Sequence, residues 1–513
     1  MKKHILSFRA IIDPRWPCLM ALIGINICWA NSLPVQTSAF AEWESSLRTS
    51  LEQMAKTLTD TLRPWPVPNR IFRIENFGAV ADGETVNTVA IQKTIDVCSA
   101  GGGGVVLLSR GDYVTGTIEL KSGVMLQVDK AARLLGSTNL ADYPDKVPEH
   151  KTIMDTWMKL KLSLIYAENC ERIGIRGGGI IDGRGGVGNF PGPGTSAELP
   201  GRPFLIRFIE CRKVVVDNIR LRNAASWMQS YLNCDDLILQ HLNVENQCNW
   251  NNDGFDIDGC HNVIVRDCFI NAEDDAMCFK GAGLRTMENV LVENCKAYTE
   301  CNALKFGTDS EGGFRNVLIR NIEVGGVPEN LPAFRRHRAI SGISWEMVDG
   351  GTVENILVHK ARIVRAKAPI FLRVGDRGRA KPDMPKPAVG RLRRVVFDGL
   401  TGNTEGGSII AGIPGHPVQQ VIIRNIKFST AGGGTLEQAA ANLPENITNY
   451  PEANMFGPAV PAYGFWLRHA EDISFENIRI IPLKPDARPQ IAASENTTNI
   501  LFHGRSLPEG APK

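Results

Sequence analysis

A nine-residue pattern recurs along this chain, and nothing else in the sequence limits its fold so tightly. A polar or turn residue is followed by V/I-x-V/I, a polar pair and another apolar residue. The pattern reads RIGIRGGGI at 172–180, KVVVDNIRL at 213–221, DLILQHLNV at 236–244 and NVIVRDCFI at 262–270. It continues as NVLVENCKA at 289–297, NVLIRNIEV at 316–324 and NILVHKARI at 355–363, with later copies starting at Arg394, Gln420, Asp472 and Asn499. The starts 213, 236, 262, 289 and 316 lie 23, 26, 27 and 27 residues apart, and the two gaps of 39 that follow are one coil plus a loop. A unit this short cannot bury its apolar side alone, so the copies must stack. Alternation within each copy predicts strands with one buried face. One strand per coil, with no helical pattern between, predicts an all-β, right-handed parallel β-helix.

Cys170, Cys211, Cys234 and Cys260 each fall two residues before a copy, and Met287, Phe314, Val353 and Leu392 hold that slot later. An apolar column inside the solenoid accounts for all eight. The cysteines therefore read as a buried ladder, although neighbouring rungs about 4.8 Å apart leave disulfide pairing open. At the N-terminus, Lys2, Lys3, Arg9 and Arg15 precede an apolar run from Cys18 to Ala30, so residues 1–30 are expected to be an export signal. Residues 31–68 are expected to hold a helical segment at 41–62 and a Pro-rich linker, with a β-helix catalytic domain at 69–513. A helix expected at 87–100 would cap the first rung, whose apolar surface and strand edges would otherwise be bare.

Composition narrows the class. Hydrophobic residues make up 43% and charged residues 22%, as in a soluble globular protein. A net charge of +2 lacks the basic excess of a nucleic-acid binder, and no segment after the signal suits a membrane span. The chain is expected to be secreted or periplasmic and to act as a monomer on a carbohydrate.

Three successive coils place the chemistry. Laying 253–259 (DGFDIDG) over 275–281 (DAMCFKG) and 302–307 (NALKFG) puts Asp253, Asp275 and Asn302 in one column, with Asp274 beside them. Like charges stacked this closely raise one another's pKa, and such clusters occur mainly where chemistry uses them. Glycoside hydrolysis needs one carboxylic acid for the leaving oxygen and another carboxylate for water, about 6.5–9.5 Å apart in an inverting enzyme. The bland alternatives are turn capping at Asp253 and Asp256, and a calcium site at Asp274 and Asp275.

The run Asn251-Asn252-Asp253-Gly254-Phe255-Asp256, followed a coil later by Asp274-Asp275, resembles glycoside hydrolase family 28, the polygalacturonases and their relatives. So do the opening Asn76-Phe77-Gly78-Ala79-Val80-Ala81-Asp82-Gly83 and Ser226-Trp227 before Cys234. The resemblance implies a pectin-type substrate of the galacturonan or rhamnogalacturonan class, cleaved by inversion without a metal or other cofactor. It makes Asp274 the general acid and gives Asp253 and Asp275 the attacking water. Two features of the family are absent: Asn302-Ala303 stands where its His-Gly would be, and Ser344-Trp345-Glu346 stands where an R-x-K would hold a uronate.

Substrate-binding candidates are Asn251, Asp256, Asn302, Lys280 and Lys305, together with Trp227 and Trp250, whose rings suit sugar faces. Trp345 is placed near the same groove. The run Arg335, Arg336, His337, Arg338 reads either as a solvated loop or as a replacement for the missing bases. Inserts after Glu323 and Gly375 are expected to wall off one end of the groove. Competing readings are a β-eliminating lyase, which would use Lys280 or Lys305 with calcium, and a non-catalytic carbohydrate binder.

Overall fold

The computed structural model describes residues 37–149, 161–192, 201–283, 285–380 and 384–506. The segment 1–30, expected as an export signal, lies outside them. Among the described residues no helix is long and apolar enough to cross a membrane. The chain forms a right-handed parallel β-helix, in which each strand pairs in parallel with the one a coil later. Among the described residues, the last strand pair, Thr497–Phe502 with Arg505–Ser506, is antiparallel, as are the isolated bridges Asp129↔Gly178 and Ile413↔His416.

The sharp corners of the coil explain why each copy starts as it does. Asn262, Asn289, Asn316 and Asn355 adopt left-handed φ values of 56°, 58°, 57° and 62°. Asparagine tolerates that region better than other residues with a side chain. Each also donates its side-chain amide to the Oδ1 one rung back, at 3.0 Å to Asp236 and then at 3.3, 3.3 and 3.1 Å along the ladder. Inside the coil, Cys211, Cys234, Cys260, Met287, Phe314, Val353 and Leu392 are buried in the shared core, with Cys170 packed at its start. The ten cysteines among the described residues are free thiols.

The N-terminal helix α1, Thr37–Thr61, is not a separate appendage. Its Leu47, Leu51, Ala55 and Leu58, spaced for one helical face, pack on the outside of the solenoid against Ile264, Leu291, Leu318, Leu357, Val396, Ile422 and Leu501. Those partners are the middle residues of successive copies, paired rung to rung as Ile264↔Leu291↔Leu318↔Leu357↔Val396↔Ile422. The expectation of one buried face is corrected here: this sheet is buried on both sides, because the outward position between the two core residues is itself apolar. Beyond the helix, Trp65 continues the strap over Val105, Met125, Val215 and Ile238. The second helix, α2 at Thr88–Ala100, closes the first rung with buried Ile91, Ile95 and Cys98. It runs into glycines with positive φ, and a Cβ on Gly103 would lie 2.5 Å from the Gly123 carbonyl.

Candidate active site

The strands Phe255–Asp258, Met277–Lys280, Asn302–Thr308 and Ala339–Met347 lie side by side on another face of the solenoid. Their registers Phe255↔Met277, Met277↔Leu304 and Asn302↔Ser341 place Asp253, Asp275, Asn302 and Ser341 along one corner. The turn before Asp253 is tied by Asn252. Its Oδ1 accepts from the amides of Cys248 and Asn249, and its Nδ2 donates to the carbonyls of Ala224 and Ser226, both at 2.9 Å. Asn246 donates to the Asp253 carbonyl at 2.9 Å. Four hydrogen bonds, three of them buried, and a backbone tether therefore aim Asp253.

The paired aspartates sit in different surroundings. Asp275 is buried; its Oδ1 accepts from Asn302 Nδ2 at 2.8 Å and its Oδ2 from Lys305 Nζ at 2.8 Å. Asn302 is itself held by Ser341 Oγ at 2.7 Å. Burial pushes the Asp275 carboxyl up, but Lys305, Lys280 and these hydrogen bonds outweigh it and keep it below the usual range. Asp274, the partly exposed member, takes a 3.4 Å contact from Asn251 Nδ2 and the Asp275 amide at 3.0 Å. Burial, and then the charge on Asp275, lifts its carboxyl above the ordinary value. Asp253 is raised further by burial and by Asp256, Asp274 and Asp275, and its Oδ1 has no hydrogen-bond partner. One ionised carboxylate thus stands beside two that favour their protons, which suits work that needs both an acid and a base.

The other candidates from the sequence separate into groups. Asn302 and Lys305 support Asp275 and are fully buried, as is Asp256. Asp256 is pushed up to about 8 by burial, with Lys280 Nζ 3.5 Å away. Lys280 also lies 3.7 Å from Asp309 and 5.0 Å over the ring of Trp227. Trp227 packs against Phe204 and is buried. Trp250 is 38% exposed, but Arg335 covers it at 4.3 Å and Phe334 meets it edge-on at 5.7 Å. Trp345 turns into the solenoid and stacks on Phe306 at 4.9 Å, because its strand neighbours Ser344 and Glu346 take the outward positions. In the basic run, Arg335 pairs with buried Glu273 and Glu300, Arg336 donates to the Glu300 carbonyl, and Arg338 pairs with Glu405.

Sequence reasoning missed the cover of the site. Residues 431–464 fold over the groove face, where Phe456, Val460 and Ala462 pack on Phe371, Ile409 and Trp466. At the edge of this cover, Tyr450 Oη receives Lys305 Nζ at 3.3 Å, and its ring lies under Lys305 and Arg377 at 5.5 and 5.6 Å. Glu452 follows, close enough to Lys305, Asp275 and Asp274 for their charges to act on it. Glu346 lies fully buried 3.5 Å from Lys305, and burial lifts it to about 8. The signal was the spacing: the copies at Gln420 and Asp472 are 52 residues apart, a coil plus an insert of similar length. The insert after Gly375 contributes Arg377, which grips Asp349.

Among the described residues, two groups of side chains could be considered for a metal. Ligand atoms of Asp274, Asp275 and Cys301 lie within 4.8 Å of one another, as do those of Glu445, His469 and Glu495. In the first, the Lys305 ammonium already fills the cationic place on Asp275, and a thiol is a poor calcium ligand. In the second, the Arg468 guanidinium bonds both glutamates.

Comparison with known proteins finds relatives in sequence and in fold. Residues 98–327 match the sequence profile of glycosyl hydrolases family 28, a stretch that holds Asp253, Asp274 and Asp275 but not Tyr450. The chain is 24% identical over 372 residues to a probable polygalacturonase of Vitis vinifera, covering 69% of this chain and 74% of that protein. Over 136 residues it is 36% identical to an exo-poly-alpha-D-galacturonosidase of Dickeya chrysanthemi, covering 26% of this chain and 22% of that one. The exopolygalacturonase of Thermotoga maritima superposes with a TM-score of 0.62 at 20% identity, over 74% of this chain and 91% of that one, a likeness of fold.

Proposed function

We propose that this chain, a polygalacturonase-like glycosidase with a family 28 region at residues 98–327, hydrolyses a pectic saccharide from a chain end by inversion. The observation that carries the reading is the split between Asp274 and Asp275: one aspartate favours its proton while its neighbour is held ionised by Lys305 and Asn302. Asp274 then gives its proton to the glycosidic oxygen as the bond to the anomeric carbon breaks. Water, held by ionised Asp275 and by Asp253 through its unpartnered Oδ1, bonds to that carbon from the opposite face and leaves its proton with the Asp253–Asp275 pair. No step needs a metal. Chain-end action is supported by the cover at 431–464: beyond Lys305 the outward column turns from polar to apolar at Phe371, Ile409 and Trp466, which lie beneath the cover. We place the mature protein outside the cytoplasm, as the basic and apolar N-terminus suggests.

Proton NMR during early turnover of pectic oligosaccharides tests the mechanism. The first product should carry the inverted anomeric configuration, and a chelator should change nothing. A retained product would require a covalent intermediate. An unsaturated, ultraviolet-absorbing product would instead make this a lyase, which the ion-paired state of Lys280 and Lys305 argues against. Viscosity tests the mode: steady release of small sugars with little early loss of viscosity supports chain-end attack, and a rapid drop refutes it.

A further inference from the structure

A cavity of about 630 Å³ opens between the cover and the solenoid, and none of the catalytic aspartates lines it. Its floor is apolar, made by the buried Ala368, Ile409, Ala453 and Val460. Ala368 lies two rungs beyond Asn302 through Ser341, about 10 Å along the same corner of the coil. The cover thus presents Tyr450 to Lys305 and the segment 453–460 to the cavity. The basic run joins the two places: Arg335 pairs with Glu273 beside Asp274, and Arg338 lines the cavity.

Three cations line this space, and their surroundings differ. Arg488 is bonded to the Asp486 carboxylate and to the Val460 carbonyl. On the exposed rim, Arg338 meets Glu405 at 3.2 Å. Lys367 is half-buried and spends two of its three N–H donors on neutral oxygens, Asn454 Oδ1 at 2.6 Å and the Gly457 carbonyl at 2.9 Å. Among the described residues it has no ion-pair partner, and Glu405 and Glu452 act on it only from longer range. Burial, and then the charge on Arg338, hold its ammonium below the usual range. A carboxylate entering the cavity would supply the counter-charge that this ammonium lacks.

We propose that the cavity is a second saccharide site, which holds an acidic sugar of the pectic chain while another part of that chain is cut at Asp274. The sugar ring lies on Ile409 and Val460, and its carboxylate takes the remaining donor of Lys367 and meets Arg338. Holding the chain at two places raises the effective concentration of its cleavable end with no new contact at the aspartates. This inference rests on the hydrolase reading above and deepens it.

Calorimetry on the full mature protein carrying Asp274→Asn, with galacturonate, galactose and acetate as probes, tests the site. Galacturonate should bind, and adding Lys367→Gln should weaken one class of site at least about tenfold, the order for a hydrogen bond to a charged group. Lys367→Arg keeps the charge and should keep the binding. Ala459→Trp narrows the cavity without removing a charge or the Lys367 tethers, and should abolish the same class of site. Galacturonate binding unchanged by both Lys367→Gln and Ala459→Trp overturns the inference. So does equal affinity for galactose, which would make the carboxylate irrelevant, or for acetate, which would mean that an anion alone is recognised. With Asp274 intact, Lys367→Gln should raise KM for pectin at least about tenfold, leaving its kcat and the kcat/KM for pectic disaccharides unchanged. An equal loss on disaccharides would make Lys367 only a tether of the cover and would also overturn the inference. If the wild type cleaves no pectic saccharide while galacturonate binding still depends on Lys367, the hydrolase reading falls and the site stands.

Discussion

Two outer faces of the same solenoid carry opposite chemistry on the same alternation. On the face under α1, the outward residues of successive rungs are Ile264, Leu291, Leu318, Leu357, Val396 and Ile422. On the groove face the equivalent column reads Ser230, Asp256, Cys278, Lys305 and Ser344, and turns apolar at Phe371. Both faces are buried, but by different means. The first buries apolar surface, each square ångström of which stabilises by about 25 cal/mol. The second buries ionisable groups, which destabilise unless they are paired and hydrogen-bonded. The difference separates the labour of the molecule: the strap face contributes stability, and the groove face gives some of it up to hold acids in unequal protonation states.

The largest expected effect breaks the groove face without touching the strap. Asp274→Asn keeps nearly the same volume but cannot donate a proton to the leaving oxygen. Activity should fall at least about a hundredfold, while circular dichroism and the melting temperature stay close to wild type. Near-normal turnover would remove Asp274 from the acid role.

The converse substitution is Leu51→Ala on α1, where the side chain is 1% exposed against the column. It should cost about 2–5 kcal/mol in urea unfolding and leave kcat per folded molecule unchanged. A loss of activity at equal stability would mean that the strap reaches the site, and the division of labour would fail.

Next comes a pH effect peculiar to the groove. Folded Glu346 keeps its proton up to about pH 8, whereas the unfolded chain gives it up near 4.5. The folded state therefore binds the extra proton between those values, so stability falls as pH rises through that window. Asp256, Asp258 and Glu273, raised to about 8, 7 and 8, mainly by burial, act in the same direction. The wild type should melt lower at about pH 8 than at about pH 5, and Glu346→Gln should narrow that difference. Equal differences in the two proteins would show that Glu346 is ionised in the fold.

These contrasts also mark what could be read from the chain. The 26–27 residue period, the asparagine corners and the cysteine column were legible because each repeats at a fixed place in the coil. The stacking of Asp253, Asp275 and Asn302 was legible for the same reason, since strands in register turn spacing into adjacency. The covering of the strap face was encoded in Ile264, Leu291 and Leu318, yet alternation alone hides it: an apolar middle residue says that something covers the strand and does not say what. Tyr450 and Glu452 were harder. An interval of 52 residues announces an insert, but where an insert folds depends on contacts such as Phe456 with Trp466, which no periodicity records. Trp345 shows the reverse error, in which closeness in sequence to the groove was taken for a place in it.

The smallest expected effect asks whether charge matters on the strap face at all. Its helix also carries ion pairs: Glu52 meets Arg320 at 2.9 Å, with the glutamate 47% exposed. Exposed pairs lose to side-chain entropy and salt most of what they gain from attraction, so Glu52→Gln should cost under about 1 kcal/mol, and less still in high salt. The deeper pairs, Glu44 with Arg424 at 2.8 Å and Arg48 with Asp398 at 2.9 Å, share one network and would couple if changed together. Glu52 stands apart from them, which makes it the cleaner measure. If it alone cost as much as Leu51→Ala, the helix would be held by its charges, and the two faces would differ in the sign and placement of their ions and not in the kind of force that holds them.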